Sequence, residues 1–289
     1  MICSICPRSC GAERTETVSG GVCAMPLAPV AAKAMLHIWE EPCLVGERGA
    51  GCVFFSGCNL RCSFCQNGSI SQGNCGKPVS VSRLREIYEE LISEGAACID
   101  LVTPTHFTPA VAESLDRPLP VPVVWNSGGY EKPETLRLLE GKVQIYLPDL
   151  KYALPGPAKE YSGAEDYFRW AKAAILEMFR QTGPYEMENG RLKSGVLIRH
   201  LVLPGELENT RRVLDWVSSA FHPGDVLFSL MAQYTPQPGA KGNLARRVTR
   251  AEYTAAAQYM ENCGIADGYV QERTSAKEEY TPEFDLSGI

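Results

Sequence analysis

From Val45 onward the sequence alternates short apolar runs with amphipathic segments, the signature of repeated β–α units around a parallel sheet. Six strands are predicted: Cys52–Ser56, Cys98–Thr103, Val121–Asn126, Val143–Asp149, Gly195–Val202 and Val226–Met231. Several carry little polar content, as strands covered on both faces do. Between them, Ser82 is placed to cap a helix whose Leu84, Ile87, Tyr88, Leu91 and Ile92 share one stripe, with Gly95 as its stop. Thr108-Pro109 reads as an N-cap followed by Pro at the first helical position. Residues 161–181 read as the longest helix, and Asn189-Gly190 as a tight turn. Thr249-Arg250-Ala251-Glu252 forms a capping box, its helix stopped by Gly264. The pattern predicts an α/β fold, a partial (β/α)6 barrel over residues 49–275. A small N-terminal cysteine-rich metal-binding segment (1–48) precedes it, and a C-terminal tail (276–289) follows.

A net charge of −6 gives no basic footprint, so nucleic acid is not expected as a partner. No apolar run reaches membrane-spanning length, and Met1-Ile2-Cys3-Ser4-Ile5-Cys6 resembles neither a signal nor a transit peptide. A cytoplasmic location is therefore expected. There the 12 cysteines point to metal ligation rather than disulfides. Most fall early, at positions 3, 6, 10, 23, 43, 52, 58, 62 and 65.

Cys58, Cys62 and Cys65, spaced C-x3-C-x2-C, follow directly on the first predicted strand. Three thiolates at this spacing can ligate three irons of a [4Fe-4S] cubane and leave the fourth open to a chelating substrate. A zinc knuckle is the alternative, but zinc wants four ligands and would have to borrow Cys52, Cys75 or a distant residue.

Cys3, Cys6, Cys10 and Cys23 form a second group. A segment this short has no core of its own, so a metal must supply its folding energy. Tetrahedral zinc comes first for this site and an auxiliary iron–sulfur cluster second. Cys43 is a candidate to replace one ligand or to sit near the active site, whereas Cys52, Cys98 and Cys263 lie in apolar stretches and read as core.

The C-x3-C-x2-C with an aromatic before its last cysteine resembles the signature of the radical S-adenosylmethionine (SAM) superfamily. Cys6-Pro7-Arg8-Ser9-Cys10-Gly11, Trp39-Glu40-Glu41-Pro42-Cys43, Phe55-Ser56-Gly57-Cys58-Asn59-Leu60-Arg61-Cys62, Leu101-Val102-Thr103-Pro104-Thr105-His106, Ile198-Arg199-His200-Leu201-Val202-Leu203-Pro204-Gly205 and Met231-Ala232-Gln233-Tyr234 occur in order. Together they resemble the pyruvate formate-lyase activating enzyme-like family, homologues distinct from the activase itself. The resemblance runs to about residue 270.

It implies a TIM-type partial barrel and a [4Fe-4S] cluster that cleaves SAM reductively to methionine and a 5′-deoxyadenosyl radical. A reducing partner such as flavodoxin or ferredoxin is expected. The hydrogen donor is a glycyl radical enzyme, a peptide, a cofactor or a small metabolite; a non-catalytic iron–sulfur or zinc carrier is the rival class. Phe64 is placed beside the adenine, and Asn67 is a hydrogen-bond candidate for SAM. Thr103 and Thr105 fall where radical SAM proteins carry a Gly-Gly-Glu stretch that holds the methionine amine. Asn126 and Ser127 are candidates for the ribose or the methionine carboxylate, and Gln233 is a further polar strand-end candidate. Asp149-Leu150-Lys151 resembles the Asp-x-Lys of glycyl radical activases; Lys151 suits a carboxylate and Asp149 an ammonium. The plain alternative for that pair is an exposed ion pair worth about 0–1 kcal/mol. His106 and His200 are the remaining catalytic candidates beside Lys151. Arg199 and His200 are adjacent on one strand, so only one faces the interior, and His200 is favoured.

Overall fold

The computed structural model describes residues 2–73, 75–272 and 281–289. The chain enters its sheet through β1 (Val30–His37), which pairs antiparallel with β2 (Ala50–Phe55). A short helix α1 (Gly68–Ser71) follows, then β3 (Lys77–Pro78) on the far edge of β1. The β–α alternation then takes over with α2 (Val81–Ser93), β4 (Ile99–Val102), α3 (Thr108–Ser114), β5 (Val123–Ser127), α4 (Pro133–Leu136) and β6 (Ile145–Pro148). It continues through α5 (Pro155–Ser162), α6 (Tyr167–Thr182), β7 (Glu186–Glu188), β8 (Arg191–Leu201), α7 (Leu207–Ala220), β9 (Leu227–Met231), α8 (Arg250–Asn262) and β10 (Gly268–Val270).

The sheet order is β10-β9-β8-β6-β5-β4-β2-β1-β3, with β7 hairpinned onto β8. From β2 to β10 the main-path neighbours are parallel. Among the described residues β10 and β3 end the path and do not pair with each other, so the sheet is an unclosed, barrel-type α/β arrangement. Strand side chains alternate between two cores. Val53, Phe55, Leu101, Trp125, Tyr146, Ile198 and Phe228 belong to the core that includes the helices. Cys52, Phe54, Val102, Val124, Leu147, Leu197 and Leu227 fill the other, inner core. Asp100, Asn126, Arg199 and Ser229 share the inner parity and lay a polar band across it.

The six predicted strands are present with boundaries shifted by up to four residues. β1 and β10 lie outside the prediction: Val-Ala-Ala-Lys-Ala-Met-Leu-His lacks strict alternation, and Gly-Tyr-Val is too short to show any. The helix expected over 161–181 is two helices, because Gly163 sits at φ +55 and ends α5 in a left-handed cap. Ser80, not Ser82, caps α2 by accepting from the Arg83 N–H at 3.0 Å. Thr108 lies inside the first turn of α3, after a 3-10 turn at Thr105–Phe107, and its hydroxyl donates to the Thr105 carbonyl at 2.7 Å. Asn189-Gly190 does form the β7–β8 hairpin turn, and the Thr249–Glu252 capping box is complete.

β1 comes from residues 1–48, so a boundary at 48/49 falls within the β1–β2 hairpin. Residues 273–275 of the expected barrel and 276–280 of the expected tail lie outside the described residues. The rest of the tail lies along β1: Ala34 N donates to Ser287 O at 3.0 Å and Leu286 N to Ala32 O at 3.2 Å. Among the described residues no helix is long and apolar enough to cross a membrane.

Candidate active site

The loop after β2 carries Cys58, Cys62 and Cys65. It is anchored before its first cysteine: Gly57 is at φ +77, and a Cβ there would collide with Met25 and lie 2.8 Å from the Cys23 carbonyl. Only glycine allows this approach. Arg8 donates to the carbonyls of Asn59 at 2.7 Å and Leu60 at 3.3 Å, and Asn59 Nδ2 donates to Tyr130 O at 2.7 Å. Each sulfur accepts a hydrogen bond: Cys58 from Leu60 N–H (3.3 Å), Cys62 from Ser162 Oγ (3.0 Å) and Cys65 from Ser71 Oγ (3.3 Å). All three border one cavity of about 730 Å³.

Burial, and then the neighbouring Cys62, push the Cys58 thiol up to about 12, and the same two causes raise Cys65. Thiols so placed become thiolates only with cations between them, which iron ligation supplies. One tetrahedral zinc calls for four protein ligands, whereas three thiolates opening onto one cavity can hold three irons of a cubane and leave the fourth to a ligand in that cavity. The donor set fits a [4Fe-4S] cluster.

The opposite wall is polar. Arg199 donates to Asp149 Oδ1 (2.9 Å), to Asn126 Oδ1 (2.6 Å) and, at 3.5 Å, to Glu40. Asn126 Nδ2 in turn donates to Asp100 Oδ2 at 3.1 Å, and Lys151 Nζ to Asp149 Oδ2 at 2.5 Å. Burial opposes the charge on Asp149, but the Arg199 and Lys151 cations outweigh it and hold the carboxyl below its ordinary value. Glu41, from the β1–β2 connection, also lines the cavity; burial raises it to about 7, against the pull of Arg199.

Of the residues singled out in the sequence, Phe64, Asn67, Thr103, Asn126, Ser127, Asp149, Lys151 and Gln233 all line this cavity. Phe64 meets Tyr152, Tyr161 and Tyr234 edge-on at 6.2–6.4 Å between ring centroids. Thr103 holds the left-handed conformation at φ +60, a strained state for a β-branched residue. Ser127 lends its hydroxyl to Glu131.

Three candidates do not reach the cavity. Thr105 turns its hydroxyl to Glu131 at 3.0 Å, where Trp125 Nε1 also donates at 2.8 Å. His106 is fully buried; its Nε2 bonds to Ser56 O at 2.7 Å, and its ring borders a separate cavity of about 360 Å³. The expected orientation of His200 is reversed: Arg199 faces the interior. His200 is buried toward α7, with Nδ1 on Leu150 O (2.6 Å) and Nε2 on Thr210 Oγ1 (3.0 Å). Burial lowers His106 to about 3 and His200 to about 4, so both are neutral at pH 7. Glu40 and Glu41, which line the cavity, were missed by sequence reasoning, as were Asp100 and Glu131, which hold Asn126 and Ser127 from behind. The Trp39-Glu40-Glu41-Pro42-Cys43 stretch was the available signal for two of them.

The N-terminal thiols form a second cluster behind the loop. Cys3, Cys6 and Cys23 are buried and Cys10 is exposed. Burial pushes Cys6 up to about 11, with Cys23 and Cys3 adding to it, and burial together with Cys3 and Cys10 raises Cys23. Arg14, 1% exposed, donates to Cys3 Sγ at 3.3 Å and to the His106 carbonyl at 3.1 Å.

Residues 45–117, which include Cys58, Cys62 and Cys65, match the family model described as a 4Fe-4S single cluster domain. An uncharacterized protein of Methanocaldococcus jannaschii is 29% identical over 276 residues, 91% of this chain and 75% of that protein. Among solved structures, methylornithine synthase (PylB) is similar at a TM-score of 0.49 and 16% identity, over 71% of this chain and 59% of that one. Streptococcus suis SuiB bound to S-adenosylmethionine gives 0.49 and 13%, over 80% and 52%. QueE from Escherichia coli gives 0.44 and 9%, over 84% and 93%. The chain thus spans little more than half the length of the first two solved chains.

Proposed function

We propose that this chain is a radical SAM enzyme of the pyruvate formate-lyase activating enzyme-like kind. The observation that carries the reading is the opening of Cys58, Cys62 and Cys65 onto one large cavity rimmed by Asn126, Asp149, Lys151 and Arg199 at strand ends. Held by Cys58, Cys62 and Cys65, a [4Fe-4S] cluster would supply the electron for splitting SAM into methionine and a 5′-deoxyadenosyl radical, the species that would take a hydrogen atom from the substrate.

The chain's own residues bind, orient and shield. Lys151 offers a cation for the methionine carboxylate, and Asp149 is held ionised for its ammonium. Phe64, backed by three tyrosines, supplies an apolar face for the adenine and keeps water from that side. Asn67, Thr103, Ser127 and Gln233 add hydrogen-bonding groups to the same wall. Glu41, near 7, can hold or release a proton at the cavity wall near neutral pH. His106 and His200 act from behind, fixing the Ser56 and Leu150 carbonyls. On the motif resemblance, the hydrogen donor is a glycyl residue of a partner enzyme. Reducible iron–sulfur chemistry of this kind suits the reducing cytoplasm.

The test is anaerobic reconstitution with iron and sulfide, addition of dithionite and SAM, and mass detection of 5′-deoxyadenosine. Its appearance is expected. Its absence from protein with an intact, reducible cluster would overturn the reading.

A further inference from the structure

We propose that Cys3, Cys6, Cys10 and Cys23 hold a second iron–sulfur cluster that relays single electrons to the centre at Cys58, Cys62 and Cys65. The relay rests on the iron–sulfur reading of that centre; the second cluster itself does not. The matched 4Fe-4S domain begins at residue 45 and does not reach these cysteines.

The ligand set is the first argument. Cys3, Cys6 and Cys23 are buried, and the Cys10 sulfur packs against Gly21, two residues before Cys23. Four thiolates are the full ligand set of a four-iron cluster, and Cys6 is followed by Pro7, the Cys-Pro step of ferredoxin-type sites.

The second argument is contact. The Cys23 carbonyl lies against Gly57, the residue before Cys58. Arg8, two residues after Cys6, holds the Asn59 and Leu60 carbonyls, and Arg61 NH1 returns to the Val22 carbonyl at 3.1 Å. The backbones that carry the two thiol groups are interlocked on both sides of Cys58, with no domain between them.

Exposure and charge set the direction. Cys10 is exposed while Cys3, Cys6 and Cys23 are buried, so the N-terminal group offers one ligand to solvent. A docked one-electron protein reductant, of flavodoxin or ferredoxin type, would meet that side. The buried Arg14 guanidinium on Cys3 favours the added negative charge of the reduced state. The donor loses one electron to the N-terminal cluster, which passes it on and returns to its oxidised state. The electron is consumed in SAM cleavage, and no proton or heavy atom moves in the relay.

The test uses the full chain, reconstituted anaerobically. About eight irons and no zinc are expected in the unaltered protein. The C58A/C62A/C65A variant is expected to keep about four irons and a paramagnetic signal on reduction. A single zinc in place of the second set of irons would overturn the assignment. Loss of all iron from the triple variant would do the same. Four irons in both proteins would remove the centre at Cys58 and, with it, the relay, while leaving the N-terminal cluster.

For the relay, a C6A/C23A variant is expected to accept electrons from reduced flavodoxin roughly tenfold more slowly. Small dithionite should still reduce its remaining cluster at the original rate. Equal flavodoxin rates would rule out the relay. Because that variant removes buried residues, the unaltered protein provides an independent readout. When it is fully reduced, the two spins should broaden one another in the paramagnetic resonance spectrum, and two sharp, independent signals would count decisively against a relay.

Discussion

Arg199 and His200 are neighbours on β8 that serve opposite sides of the sheet: the guanidinium reaches Asp149 at 2.9 Å inside, while the imidazole bonds the Leu150 carbonyl at 2.6 Å outside. The inner residue is the hub of a polar band that runs from Asp100 through Asn126 and Asp149 to Lys151.

Arg199→Met removes the cation that Asp149 and Glu40 share and strands buried carboxylates. A loss of about 3–5 kcal/mol is expected, measured by anaerobic urea unfolding. The double variant R199M/E40Q should recover part of it, because Asp149 keeps Lys151 as its cation and position 40 no longer carries a charge.

Lys151→Met should leave the iron content unchanged, since Lys151 is not a ligand, but weaken SAM binding about tenfold or more. Equilibrium dialysis of SAM against the oxidised protein measures this without turnover. Unaltered affinity would place the methionine carboxylate elsewhere.

Ser162→Ala deletes the hydroxyl that donates to Cys62 at 3.0 Å. Hydrogen bonds to cluster sulfurs help set reduction potential. The variant should retain about four irons at this site but show a lower potential in a redox titration. Tyr152, which shares Ser162 Oγ at 2.7 Å, gives a second variant, Tyr152→Phe, for which a smaller shift is expected.

His200 makes stability depend on pH. Its folded-state value, about 4, lies below the unfolded 6.5, so it contributes stability above 6.5 that is lost as pH falls toward 4. Full protonation of the unfolded chain makes the loss roughly 3 kcal/mol. His200→Gln should reduce the slope of the stability profile between these pH values, leaving the share that His106, lowered to about 3, contributes in the same window; an unchanged slope would show that other groups set it.

The alternation of apolar runs was enough to place every parallel strand but β10, because each of the others carries a short buried run between polar helices. Cys58, Cys62 and Cys65 were legible for a similar reason: their spacing is local and their strand precedes them. Inward-facing polar residues were harder. Val196, Leu197 and Ile198 are apolar at consecutive positions, so nothing in β8 alone says which parity faces inward, and His200 was favoured over Arg199. Glu131 was hidden because its partners, Thr105, Trp125 and Ser127, come together only when β4 and β5 pair. His106 stands next to Thr105 in sequence, yet the 3-10 turn sends it to another cavity.

β1 would otherwise present a bare row of backbone donors and acceptors to any passing strand. Two distant pieces of the chain occupy that row: Lys77–Pro78 against Val30 and Ala31, and Leu286 and Ser287 against Ala32 and Ala34. The final residues therefore act as a guard against edge-to-edge self-association. A chain shortened before Asp285 is expected to keep its cysteine sites but to aggregate more readily, a difference visible by light scattering.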